Sequence, residues 1–347
     1  MKAARLHGPR DIRVEEVEHP AAPGTGDILL RVKAVGICGS DLHMYLDGRI
    51  GDTEFLSPMV IGHEFMGEVV EVGEGSLDGN GQPLQVGQRV AVDPNTPCLH
   101  CEMCEKGHPN LCPNHTFYGG YPTDGALQEC MIVHARNCFP IPDSISDGAG
   151  TLLETLGVSI HAVDLGKLRV ANSVAVIGCG PVGLLILELA KLAGAAPLYA
   201  FDKLSWRVEK ARELGAEAWN VDEVDPLAVL NKATNGRGAD VVFEAAWADE
   251  SVQMAADMTR VGGRMVLVGI PGDDRLVMQH STARRKGLSI MLSRRMKHTY
   301  PRAIQLATSV LNLDSLISHH VPLTDTVAAF EMNTRYDDGI CKIIVDL

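Results

Sequence analysis

The chain has 347 residues, 46% of them hydrophobic, and a formal net charge of -13. That length exceeds one ordinary core and points to two domains, while the acidic balance argues against a nucleic-acid or membrane-surface partner because polyanions would be repelled. Nine cysteines, an N-terminal "MKAARLHGPRD" without an apolar h-region and the lack of any run of about 18 apolar residues predict reduced thiols in a cytoplasmic protein without a membrane span.

The first third reads as strands and turns. "DILLRVKAVGIC" (27–38) alternates like a strand, "GHEFMGEVVEVGEG" (62–75) is strand and turn, and "GQRVAVDP" (87–94) is a strand stopped by Pro94. Cys38 and the pair His63-Glu64 stand at strand ends and are zinc-ligand types. A catalytic zinc keeps three protein ligands and one open position. Taken singly, each has a plainer explanation, a small buried cysteine or a satisfied core histidine.

"CLHCEMCEKGHPNLC" then puts Cys98, Cys101, Cys104 and Cys112 into fifteen residues, spaced C-x2-C-x2-C-x7-C. Four thiolates bind zinc tetrahedrally with no open position, so this knot holds a lobe (about 94–115) in shape and does not catalyse. An iron–sulfur cluster is the alternative occupant. A nucleic-acid-binding ribbon is disfavoured by Glu102 and Glu105, which offset Lys106. Asn114-His115-Thr116 fits a glycosylation pattern and is read as chance.

After about residue 150, strands alternate with helices. "SVAVIG" (173–178) is a buried strand, and "PVGLLILELAKLAG" (181–194) is a helix opened by proline and closed by glycine. "PLYAFD", a helix over "WRVEKARELGA", "AEAWNV", "ADVVFEAA" and "GRMVLVGI" continue a βαβ pattern, which predicts a doubly wound parallel sheet. Gly178, Gly180 and Gly183 form G-x-G-x-x-G between a strand and a helix, the context a pyrophosphate site requires. Asp202 ends the next strand, where a carboxylate accepts from ribose hydroxyls and selects NAD over NADP; Lys203 and Arg207 lie close enough in sequence to reach a phosphate instead. The cofactor set is Gly178, Gly180, Pro181, Val182, Gly183, Asp202, Arg207 and Val268. A tight turn without ligand is the plainer reading of the glycines. The chain closes on "CKIIVDL".

Cys-Gly-Ser-Asp-x-His at 38–43, Gly-His-Glu at 62–64, the four-cysteine lobe and the glycine fingerprint, in this order across nearly the whole chain, resemble the zinc-dependent medium-chain dehydrogenases/reductases. The resemblance implies a GroES-like, β-rich catalytic domain (1–150), a Rossmann NAD-binding domain (151–290) and a C-terminal return to the catalytic domain (291–347). It implies that Cys38 and His63 ligate the catalytic zinc. The segment "TLLETLGVSIHA" carries Glu154 and no cysteine, which resembles the sorbitol (polyol) and L-threonine dehydrogenase branch, where Glu64 and Glu154 share the remaining coordination. A helix-start carboxylate is the other reading of Glu154. Thr155 stands where the family commonly has proline, and is expected to alter loop stiffness more than chemistry. Ser40 matches the relay hydroxyl, His43 the outer relay base and Asp41 the carboxylate that orients His63; turn hydrogen bonds and a solvated loop are the alternatives.

Met44 and Arg295 match substrate contacts of the polyol branch, with Met44 replacing an aromatic. Arg294, Arg295, Lys297, His298 and Arg302 make a basic stretch that also suits a carboxylate substrate. The expected activity is oxidation of a secondary alcohol of a small polyol by NAD. The alternatives are L-threonine or a sugar acid as substrate, a zinc-free reductase, or a non-catalytic sensor. The resemblance also implies a homotetramer or dimer.

Overall fold

The computed structural model describes residues 1–347 apart from Trp247, Asp249, Asp273, Asp337 and Asp338. The chain divides into two units, Met1–Gly157 with Lys297–Leu347, and Val158–Met296. Among the described residues no helix is long and apolar enough to cross a membrane.

The first unit is built on a sheet whose strands run, in spatial order, Cys138–Pro140, Arg89–Val92, Glu64–Val72, Asp27–Gly36, Lys342–Asp346 and Ile317–Pro322, with Cys130–His134 also paired to Asp27–Gly36. Strand Asp27–Gly36 is buried at most positions, Val32, Ala34 and Val35 almost completely, because neighbours flank it on both edges. Gly36, at its end, faces Glu64 on one antiparallel neighbour and Ile344 on the other. The end of the central strand, the start of Glu64–Val72 and the start of Lys342–Asp346 therefore meet at one edge of the sheet, although they come from distant parts of the chain.

Helix Gly39–Asp47 leaves that edge directly after Cys38. Asp41, in its first turn, accepts the Cys38 backbone N–H at 3.0 Å and so satisfies a donor at the helix start. A longer helix, Asp147–Gly166, begins where Ser146 Oγ accepts the Ala149 N–H at 3.0 Å. Thr151, Glu154 and Thr155 fall three and four residues apart and so share a face. Thr151 Oγ1 reaches the bare backbone of Gly36, and Gly150 packs against Met66.

The second unit is a parallel six-stranded sheet in the order Glu217–Asn220, Leu198–Asp202, Val174–Ile177, Ala239–Glu244, Thr259–Leu267 and Ser289–Leu292. Val174–Ile177 is wholly buried, as expected of a central strand covered on both faces. Ile177, Phe201, Val242 and Met265 are part of its core, and Trp219 stacks on Phe201 at 5.4 Å between ring centroids.

Candidate active site

Cys38, His63 and Glu64 bring one ligand atom each to within 4.8 Å of one another. The strand register accounts for this. Cys38 lies two residues beyond the end of Asp27–Gly36, and His63-Glu64 opens the antiparallel strand beside it. His63 and Glu64 are buried and Cys38 is half-buried. A thiol, an imidazole and a carboxylate at this spacing fit zinc, and three protein ligands leave the fourth position for substrate or water.

Asp41 Oδ1 lies 3.2 Å from His63 Nδ1 and Ser40 Oγ 3.3 Å from His63 Nε2. With Nδ1–H donating to Asp41, Nε2 is the nitrogen left for the metal. Asp41 thus makes the turn hydrogen bond and orients the histidine, one oxygen for each task. Burial disfavours the charged form of His63, but Asp41 and the Cys38 thiol together raise its pKa well above the ordinary imidazole value. His43 is buried on helix Gly39–Asp47, and its Nδ1 stands 3.6 Å from Asp47 Oδ2, so it is not a solvated loop residue.

Glu154 does not belong to the three-atom set. It sits in the interior of helix Asp147–Gly166, away from its first turn, which removes the helix-start reading. Burial pushes its carboxyl up to about 8; His63 and Lys342 oppose the rise and Glu64 and Asp93 add to it. Burial thus favours the neutral carboxyl, and a metal cation beside it would favour the carboxylate instead. Thr155 also differs from expectation. It lies in a helix, so no loop is there to stiffen, and its hydroxyl donates to Glu64 Oε1 at 2.9 Å. Sequence reasoning missed Lys342, whose ammonium donates to both oxygens of Glu64 at 2.8 and 2.6 Å. The available signal was a lysine inside the apolar run of "CKIIVDL".

The four cysteines of the knot also converge. Cys101 Sγ lies 3.5 Å from Cys104 Sγ and 3.8 Å from Cys112 Sγ, and Cys112 Sγ lies 3.5 Å from Cys98 Sγ. Thiolates about 2.3 Å from a central zinc at tetrahedral angles stand about 3.8 Å apart. The His100 backbone N–H holds the Cys98 thiol down at about 6, while burial and the neighbouring Cys101 thiol push Cys104 up to about 12. Four thiols this close cannot all ionise until a cation compensates them. Cys104→Ser is expected to lower bound zinc from two ions per chain to one and to open the lobe to limited proteolysis. Metal analysis with a protease time course checks this, and unchanged zinc content would remove the structural assignment.

In the second unit, Gly178, Gly180 and Gly183 lie between Val174–Ile177 and helix Pro181–Leu192, with Pro181 in the first helical turn. The Gly183 backbone passes so close that a Cβ there would stand 1.8 Å from the Gly178 carbonyl oxygen. The helix N-terminus is thereby drawn against the strand, and its N–H groups and dipole face an approaching phosphate. Asp202 is buried at the end of its strand. Its Oδ2 accepts the Cys179 N–H at 2.6 Å and its Oδ1 the Leu204 N–H at 2.8 Å. The carboxylate therefore braces the glycine loop, and each oxygen keeps an acceptor position for a ribose hydroxyl. Arg207 Nη1 is 3.8 Å from Asp202. Val268, half-buried, follows Thr259–Leu267 and donates its N–H to the Glu244 carbonyl at 2.7 Å. Met44 is buried in the first unit, while Arg295, with a left-handed φ of 54°, belongs to the second.

Residues 24–143 match the family "Alcohol dehydrogenase GroES-like domain" and residues 181–309 the family "Zinc-binding dehydrogenase". The sorbitol dehydrogenase of Bacillus subtilis (strain 168) is 35% identical over 99% of this chain and 97% of its own. That of Mus musculus is 38% identical over 94% and 90%. The chain belongs to the zinc-dependent medium-chain dehydrogenases, in their sorbitol dehydrogenase-like branch. Among solved structures, L-idonate 5-dehydrogenase from Escherichia coli superposes with a TM-score of 0.89 at 28% identity, covering 100% of this chain and 98% of that one. As a member of this family the protein is an NAD-dependent alcohol dehydrogenase with zinc and NAD as its cofactors. The GroES-like fold accounts for the sheet that carries Cys38, His63 and Glu64, and the Rossmann fold for the sheet that carries the glycine loop.

Proposed function

We propose that this dehydrogenase oxidises a secondary alcohol of a small polyol or sugar alcohol to a ketone, with NAD as hydride acceptor. The observation that carries the reading is the convergence of Cys38, His63 and Glu64, three ligand types that would leave a zinc ion one further position, in a chain related over its whole length to sorbitol dehydrogenases. Zinc bound there supplies a Lewis acid that lowers the pKa of a hydroxyl group. NAD supplies the acceptor for the hydride, so alcohol and NAD become ketone, NADH and one proton.

The chain's own groups do the rest. Asp41 holds the His63 ring through Nδ1 and leaves Nε2 free to bind the metal. Ser40 Oγ, beside Nε2, takes the proton that leaves the substrate hydroxyl. His43, buried next to Asp47, accepts it onward toward solvent. Gly178, Gly180 and Gly183 admit the pyrophosphate, and Asp202 receives the adenine ribose. Met44, on the helix that follows Cys38, offers a substrate an apolar, adaptable surface. Glu154, buried on the helix that also carries Thr155, is the carboxyl we assign to hold a water near the metal.

Oxidation of a sugar acid is the second reading, favoured by the likeness to L-idonate 5-dehydrogenase and by the basic stretch 294–302. The neutral polyol is preferred because of the whole-length likeness to sorbitol dehydrogenases, and four cations of that stretch have contacts within the protein. Lys297 Nζ lies 3.1 Å from His108 Nδ1, and Arg294, Arg295 and Arg302 each carry an interaction of their own. The test is NAD reduction by zinc-loaded protein on xylitol, ribitol and sorbitol against L-threonine and hexonates. Turnover on the neutral polyols is expected; turnover on the carboxylates alone would overturn the reading.

A homo-oligomer, tetramer or dimer, belongs to the same proposal. The parallel sheet ends on Ser289–Leu292, where Leu292 is exposed, an edge suited to pairing with a second copy. So does a cytoplasmic location, which keeps the free thiols of Cys38 and the knot available as ligands.

A further inference from the structure

Glu64 and Lys342 are only 1% and 3% exposed, and two charges so fully removed from water must be paired. Lys342 uses all three of its donors: one to each Glu64 oxygen and the third to the Ile37 carbonyl at 3.1 Å. Thr155 Oγ1 adds a bond to Glu64 Oε1 at 2.9 Å. A carboxylate offers about four acceptor positions, two on each oxygen. Oε1 therefore has two donors and is saturated, whereas Oε2 has one donor and keeps one position. Oε2 also lies over the bare backbone of Gly36, where a Cβ would come within 2.4 Å of it. The carboxylate is thus held by strands Asp27–Gly36 and Lys342–Asp346 and by helix Asp147–Gly166.

We infer that Thr155 is a positioning residue of the metal centre, whose hydroxyl, together with Lys342, saturates Oε1 and leaves Oε2 as the single oxygen that Glu64 presents to zinc. This rests on the proposed Cys38–His63–Glu64 centre. Removing the hydroxyl returns an acceptor position to Oε1, so the carboxylate can turn and present either oxygen. Groups that orient a metal-bound carboxylate typically account for about 10- to 100-fold in metal affinity.

The test is zinc competition against a chromogenic chelator, with the cobalt-substituted protein followed by its visible absorption, for wild type, Thr155→Val and Thr155→Ser. Valine keeps the shape of threonine without its donor, and serine keeps the donor. In Thr155→Val the more labile zinc is expected to bind about tenfold or more weakly, with a shifted cobalt spectrum and the four-cysteine zinc unchanged; serine restores both. Wild-type affinity and spectrum in the valine variant would overturn the inference, as would a serine variant no better than valine, since shape and not the hydroxyl would then matter. If wild type binds a single zinc that Cys38→Ser retains, the proposed centre itself fails, and that outcome is distinct from the other two.

Discussion

Cys38→Ser is expected to remove one of two zinc ions per chain and to lower kcat/KM by about 10^3-fold or more. The metal is asked to supply several kcal/mol of charge stabilisation to the leaving proton's oxygen, and about 4 kcal/mol corresponds to about 10^3 in rate. The three-atom set has no described replacement within reach, since Glu154 lies outside it. The knot supplies the internal control: its four thiols lie elsewhere and keep their zinc. Metal content, measured beside steady-state kinetics on the best polyol, decides the matter. A serine variant that holds two zinc ions, or stays within tenfold of wild type, would show that the reactive metal is not at Cys38.

The second large effect concerns Gly183. A valine there carries its Cβ to 1.8 Å from the Gly178 carbonyl oxygen and 3.3 Å from Val176 Cγ1, and backbone cannot yield as a flexible side chain would. Helix Pro181–Leu192 must move off strand Val174–Ile177, which costs about 1–3 kcal/mol of overpacking and withdraws the helix N-terminus from the pyrophosphate. NADH is expected to bind at least about 100-fold more weakly, equivalent to about 2.7 kcal/mol, with a melting temperature lower by several degrees. Gly180→Ala separates the two causes. Its Cβ meets only Arg207, at 3.7 Å, so stability should hold while affinity for the dinucleotide falls. NADH fluorescence titration with thermal unfolding reads both. Unimpaired NADH binding in both variants would remove this loop from the cofactor site.

Much of the fold was legible because its signals are local. The strand predicted over 27–38 is observed as Asp27–Gly36, and the helix predicted over 181–194 as Pro181–Leu192; proline and glycine mark the boundaries in both readings. The cysteine knot is written in its own spacing, and its sulfurs do converge. Thr155 was misjudged because its segment was taken for a loop, whereas the helix turns its hydroxyl onto a carboxylate 91 positions away. Lys342 was missed because nothing near it in sequence asks for a charge; its partner is 278 positions distant.

By itself, the sequence pointed to two parts, a four-cysteine cluster, a glycine turn with Asp202 beyond it, and residues of ligand type at Cys38 and His63. Each depends on a few neighbouring residues whose chemistry and backbone geometry suffice. Only the tertiary structure shows which carboxylate lies within reach of Cys38 and His63 and what holds it. That choice follows from strand register: Gly36 lies opposite Glu64 and Ile344, so Glu64 and Lys342 arrive at one buried point, while Glu154 remains on the helix beside them. In that water-excluded place a charge must be paired, and pairing across hundreds of residues is a property of the folded chain alone.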